Sequence, residues 1–374
     1  MLGTYTPLRP LCDPRAVIYK ARGDDLTAVE ALAQKLEPGL AKAILDALTA
    51  QGDAVPIDAL VAALESGDVS KVVALLDTPE VTAAFAKLTP SVQGAVYAGG
   101  ALGAGTIAAQ MRGVSFVFDQ LNPRLLTWLQ TYNLGLIREI QDQTREGIRE
   151  YLLAGMTSGR NPKDVAREVK TVIGLTDRQA RAVYNFRREL ETFHTRQSAG
   201  SWNLGAKIDR VNGTQVLRPD DDGSPKDGID QRRLRDFRFD GQLQRAMTTG
   251  KPLSQAQIDK MVAAYQRKYL AYRSRTIART EAIRTTNMGV QDAWRQAIES
   301  GKVPEELVRK RWFVTKDERL CKVCGPIPNM NPKRGVTMGQ PFATPKGPMT
   351  IPPAHPNCRC SIVFRVWEPE QLKG

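Results

Sequence analysis

Nine prolines fall between Pro326 and Pro356, inside a segment that opens with C-x-x-C at 321–324 and closes with H-P-N-C-R-C at 355–360. Proline fixes φ and has no N–H to donate, so this stretch can be neither a helix nor a central strand. It reads as a stiff, extended, irregular connection between two strands, Arg311 to Thr315 and Ile362 to Trp367. Few large apolar side chains stand between those strands, so something other than hydrophobic burial has to close the loop. The cysteines supply a means. A C-x-x-C turn lets Cys321 and Cys324 point at one ion while the turn's N–H groups stabilise their charge. With His355, Cys358 and Cys360 there are five donors for four tetrahedral positions.

Cys321, Cys324, His355 and Cys358 would make a Cys3His zinc site, with Cys360 able to replace Cys358 or to lie beside it. Such a zinc is structural, since protein donors fill every position and leave none for water. Arg319, Lys322 and Arg359 lie beside the array and can offset thiolate charge. The alternative is free thiols in a reduced protein, or one or two disulfides. A zinc deaminase needs H-x-E with P-C-x-x-C, and that pattern is absent. The chain has only two histidines, which also disfavours a nuclease of the His-Asn-His type.

The rest of the chain predicts a mainly α protein. Three regions are expected: an N-terminal helical region over 1–112, a helical region over 113–300 with a long loop at 200–230, and a Cys/His β-containing module over 301–374. Residues 1 to about 25 read as an irregular arm without a secretion signal. From Leu26 to Leu88, Ala- and Leu-rich helices break at Pro38-Gly39, between Gly52 and Pro56, at Gly67 and at Pro79. Leu88 to Met111 carries no charge and is rich in Gly and Ala. Its small residues suit a closely packed helix or a joint better than a membrane span. Val114 to Phe118 reads as a short strand.

Helix starts are marked at Asn122-Pro123 and Asn161-Pro162, where proline suits the first helical position. Thr176 with Gln179, and Ser254 with Gln257, form capping boxes. The helix after Thr176 is expected to reach about Gln197. The longest helix runs from Ser254 to a stop at Gly301, with its apolar stripe taken as core.

The net charge of +13 favours polyanionic or acidic partners. Arg232, Arg233, Arg235, Arg267, Lys268, Arg273 and Arg275 are candidate contacts to DNA phosphates or to an acidic protein, with Tyr265, Tyr269 and Tyr272 among them. On the long helix Arg279, Glu281 and Arg284 lie within about a turn of one another. Either arginine can pair with Glu281 and dock the Cys/His module, and Asn287 can hold a loop backbone.

The order ARTEAIRTTNMG at 278–289, Trp312, Asp317, the C-x-x-C and PPAHPNCRC at 352–360 resembles the Mu F-like head morphogenesis family of tailed phages. GLTDRQARAVYNFRREL at 174–190 is similar to the helical part of those proteins, so the resemblance covers roughly Leu121 to Trp367. It implies a non-enzymatic minor head protein that acts in head assembly, DNA packaging or DNA delivery. The implied partners are the portal or major capsid protein, with packaged DNA met without sequence preference. The implied location is the virion head, after assembly in the host cytoplasm. No small-molecule substrate is implied. A sequence-independent DNA-binding protein with a structural zinc module is the competing reading.

Overall fold

A computed structural model describes residues 27–372, apart from 87, 112, 157–160, 199–201, 203, 205–206, 209–214, 217–233 and 317–319. The protein is mainly helical: of the described residues 65% are in helices and 5% in strands, and the C-terminal part holds a small two-stranded sheet. In chain order the elements are α1 (Ala28–Ala54), α2 (Ile57–Glu65), α3 (Val69–Ala74), α4 (Pro79–Ala83), α5 (Leu88–Gln110), α6 (Pro123–Met156), α7 (Pro162–Lys170) and α8 (Asp177–Glu191). There follow the two-residue strands β1 (Lys207–Ile208) and β2 (Gln215–Val216), α9 (Asp240–Thr249), α10 (Gln255–Glu299), β3 (Val308–Phe313), β4 (Ser361–Val366) and α11 (Pro369–Leu372). Among the described residues no single helix is long and apolar enough to cross a membrane.

By contact the chain forms two compact units. The first comprises Met1–Ile44, Lys87–Leu136 and Ser274–Gly374; the second comprises Leu45–Ala86 and Ile137–Arg273. These divisions differ from the expected boundaries at 112 and 300, because α1, α6 and α10 each contribute to both units.

In the first unit, α5 and α10 approach backbone to backbone. A Cβ on Gly99 would lie 2.9 Å from the Cα of Thr286, and one on Gly103 would lie 2.7 Å from the Cβ of Ala293. From the other side, a Cβ on Gly289 would lie 2.6 Å from the nitrogen of Gly100. Contacts that short exclude any side chain, so the uncharged Gly/Ala run is a helix-packing surface. Residues 114–118 form no strand. Phe118 instead lies over Gly100, which has no Cβ to obstruct the ring.

The C-terminal segment packs onto this helix pair. Trp294 of α10 stacks on Phe364 of β4 at 5.3 Å, and its indole N–H donates to Thr106 of α5 at 3.1 Å. Trp312, Val323, Ile327, Val336, Met338, Phe342 and Ile362 join the same apolar cluster. The module is therefore richer in apolar contacts than its own sequence suggested, because α5 and α10 supply part of its core. The strands β3 and β4 pair antiparallel with Trp312 opposite Ile362.

The second unit is built from local signals and buried polar ties. Asn161 caps α7, and the Thr176–Gln179 box starts α8. The latter helix ends at Glu191, short of Gln197, in a 3-10 turn over Phe193–Thr195. Trp202 lies within the stretch expected as surface loop, yet it is fully buried against Phe186 and Phe193. Glu168 accepts from Tyr151 at 2.9 Å and meets Arg187 and Arg188 at 3.4 and 3.3 Å. Most of the 200–230 loop lies outside the described residues, as does the expected arm at 1–25. Pro38 does not break α1, which continues through it with Ala33 and Leu40 buried on either side. Burial of the flanking turns outweighs the one lost backbone bond.

Candidate metal centre

Two turns bring the sulfur and nitrogen donors together in the first unit. In the first turn the Cys324 N–H donates to the Sγ of Cys321 at 3.4 Å. In the second, Asn357 takes a left-handed φ of 58°, a conformation asparagine tolerates better than most residues. Its N–H donates to the Thr280 hydroxyl of α10 at 3.1 Å, which fixes the H-P-N-C turn against the helix. The His355 Nδ1–H donates to the Pro356 carbonyl at 2.8 Å, leaving Nε2 as the ring atom that faces the thiols.

Nε2 lies 3.1 Å from the Sγ of Cys321 and 3.0 Å from that of Cys324. The Cys324 and Cys358 sulfurs are 3.6 Å apart, far beyond a disulfide bond. Bonds of about 2.3 Å to sulfur and 2.0–2.1 Å to nitrogen give tetrahedral edges of roughly 3.8 Å for S···S and 3.5 Å for S···N. The S···S edge is close to that value, and the S···N edges need to open by about half an ångström. The donors form two overlapping groups, Cys321–Cys324–His355 and Cys324–Cys358–Cys360, with Cys324 common to both. Cys321 is half-buried and the other four donors are buried. The cluster can hold a metal ion.

The charges of the set point the same way. Hydrogen bonds from Cys324, then from Cys360, and the nearby His355 hold Cys358 well below the usual thiol range. Contacts with Cys358 and Cys360, together with burial, push Cys324 up. In Cys360 the bond with Cys324 favours the thiolate, but the contact with Cys358 and burial outweigh it. His355 is raised to about 9, because the Cys358 thiolate overcomes the effect of burial. Several thiolates packed into one buried cluster require a cation to offset them, which is the chemistry of a metal-ligating set.

The residues of α10 hold the module in place. Asn287 is fully buried; its amide donates to the Cys360 carbonyl at 3.3 Å and accepts from the Ile362 N–H at 2.7 Å. Four residues on, Gln110 of α5 repeats the arrangement, donating to the Phe364 carbonyl at 3.0 Å and accepting from the Val366 N–H at 3.1 Å. Two amide side chains therefore take the place of a third strand along the free edge of β4. Arg279 does not meet Glu281; it lies 3.7 Å from Glu37 of α1. Arg284 reaches Glu281 only at 4.0 Å, and burial raises the pKa of that carboxyl. The docking expected of Glu281 falls instead to Glu30 of α1. Glu30 is buried, accepts from Thr315 at 2.7 Å and lies 3.8 Å from Arg359, between the two last cysteines.

Glu30, Glu37 and Gln110 went unmarked in the sequence, since a lone acid or amide on a helix carries no spacing signal. Lys322 is exposed, and Arg319 lies outside the described residues.

The candidate polyanion contacts are divided by the structure. Arg232 and Arg233 lie outside the described residues. Arg267 and Arg275 are exposed and Lys268 is half-buried, its ammonium donating to the Arg235 carbonyl at 2.9 Å. Arg235 and Arg273 are not surface groups. Arg235 is 1% exposed and forks onto Asp240, with both bonds at 3.1 Å. Arg273 is 2% exposed and donates to the carbonyl of Gly174, in the turn after α7, at 2.6 Å and to that of Ile140, inside α6, at 3.0 Å. Tyr265 is buried and stacks on Phe186 at 4.2 Å. Charge periodicity alone does not distinguish an arginine bonded to buried acceptors from one that faces solvent. Compared with family profiles, with curated proteins and with solved structures, the chain gave no match.

Proposed function

We propose that this chain is a structural minor head protein of a tailed phage, acting in head assembly, DNA packaging or DNA delivery through portal or capsid proteins. Its C-terminal module is braced by zinc. The observation that carries this reading is the convergence of C-x-x-C and H-P-N-C-R-C donors on one buried locus, held to the long helix α10 by Thr280 and Asn287 and to α1 by the contact of Arg359 with Glu30. Sulfur and imidazole donors select zinc over hard cations, and four protein donors make the ion structural. Cys321 and Cys324 flank His355 Nε2 at 3.1 and 3.0 Å, and Cys358, 3.6 Å from the Cys324 sulfur, is taken as the fourth donor, with Cys360 as the adjacent thiol. The ion would fix two turns that prolines and side-chain amides already orient. The competing reading of a DNA-binding protein loses Arg235 and Arg273 from its contact surface, since both are buried.

Elemental analysis of the purified full chain tests the metal: one zinc per chain is expected, and a metal-free, fully folded protein overturns it. Quantitative mass spectrometry of purified DNA-filled particles tests the location. A few copies per particle are expected, and absence from both particles and proheads overturns the head assignment.

A further inference from the structure

Alternation along β3 and β4 sends Val308, Lys310, Trp312, Ile362 and Phe364 into the core. It leaves Arg309, Arg311 and Phe313 of one strand, and Val363 and Arg365 of the other, on the opposite face. Phe313 is 43% exposed and Val363 is 39% exposed. The register sets Arg309 opposite Arg365 and Arg311 opposite Val363. Like charges directly opposite each other destabilise a ribbon. Arg309 donates to the carbonyls of Glu306 and Val308, and Arg365 lies over the Trp367 ring at 5.2 Å. Among the described residues none of the three arginines forms an ion pair with a carboxylate.

Both edges of the ribbon are closed. Lys310 and Val336 exchange backbone hydrogen bonds of 2.8 and 2.9 Å beyond β3, while Asn287 and Gln110 occupy the edge of β4. A partner cannot add as a strand, so it has to lie across the face and engage it through side chains. Outward residues are spaced about 6.7 Å along a strand and about 5 Å across the pair. Carboxylates three or four positions apart on a helix, with Cβ atoms about 5–6 Å apart, match that grid. A phosphate backbone satisfies the arginines but leaves Val363 and Phe313 without apolar contact. Arginine and aromatic side chains in one patch are the composition of protein interfaces.

We infer that the outward face of the β3–β4 ribbon docks an acidic amphipathic helix of a protein partner, with carboxylates on Arg309, Arg311 and Arg365 and an apolar side chain on Phe313 and Val363. This surface is independent of the metal and of the phage-head assignment.

The test is fluorescence anisotropy of the full chain with three labelled probes: an amphipathic Glu/Leu helical peptide, a poly-glutamate peptide and an oligothymidine of equal charge. The amphipathic peptide is expected to bind most tightly. Arg309→Gln, Arg311→Gln and Arg365→Gln together should weaken it about tenfold, from exposed pairs of modest individual strength. Phe313→Ser should weaken the amphipathic peptide and leave poly-glutamate unchanged. All of these side chains point outward, and circular dichroism with metal content checks that the variants fold; Arg311→Gln alone gives the same direction if the triple variant does not. Tighter binding of oligothymidine would make the face a nucleic-acid surface and overturn the proposal. So would amphipathic-peptide binding that is absent, or that survives loss of the three arginines.

Discussion

Alanine at Gly99 and alanine at Gly105 are the same substitution on the same helix, yet they should change stability in opposite directions. Gly105 is exposed on α5, with nothing within 4 Å of an added Cβ. Alanine there gains helix propensity worth about 0.5–1 kcal/mol. At Gly99 the same gain is available, but the Cβ would sit 2.9 Å from the Thr286 Cα and closer still to its carbonyl oxygen. Those are backbone atoms of α10, so no rotamer change relieves the clash and the helices have to separate by about 1 Å. Overpacking of this kind costs about 1–3 kcal/mol, and a backbone clash belongs at the upper end. Gly99→Ala should therefore lose about 2 kcal/mol net, leaving a gap of about 3 kcal/mol between the two variants. Equilibrium urea unfolding followed by tryptophan fluorescence reads the effect, because Trp294 on α10 is hydrogen-bonded to Thr106 on α5. If Gly99→Ala is as stable as Gly105→Ala, the close approach of these helices is refuted.

Three further outcomes follow from the first unit. Asn287→Ala strands the buried Ile362 N–H and Cys360 carbonyl, at about 1–3 kcal/mol each, and should speed hydrogen exchange at Ile362; protection equal to wild type would count against the amide bracket. Cys324→Ser removes the donor common to both triads and should release metal to a chromogenic chelator far more readily than Cys360→Ser; the reverse order would move the site onto the C-terminal cysteine pair. Lys310 is 1% exposed, and burial lowers its pKa to about 8 from an ordinary value near 10.4. The unfolded chain therefore binds more protons between those pH values, and stability rises with pH across that window. Lys310→Met should be more stable than wild type at pH 7, by roughly 1–3 kcal/mol, with the advantage shrinking from pH 8 to 10.4. A gap that stays constant over that range would refute the assignment.

The parts of the fold governed by neighbouring residues were legible. Ser254 and Gln257 bond each other's backbone at 2.8 and 3.3 Å, Gly301 takes a φ of 68°, and both C-terminal strands form within two or three residues of their expected positions. The mainly α class followed from the same signals, and the Cys/His array was visible because four thiols and one imidazole bracket a proline-rich segment. Pro38 misled because helix breaking is a local tendency that burial of adjacent turns overcomes. The strand expected at 114–118 failed because an apolar run does not specify whether it pairs with a strand or, as Phe118 does, fills the space above a glycine.

Capping, turn chemistry and donor type depend on residues a few positions apart, so the sequence by itself determined the helix starts, the ribbon and the candidate ligands. Which arginines are buried, which glycines meet another backbone, and which amides close the edge of β4 depend on groups far apart in the chain. Gln110 and Val366 are separated by 256 positions, and Glu30 and Thr315 by 285. No local pattern encodes such a pairing. Only packing, which forces each buried polar group to find a partner, decided it.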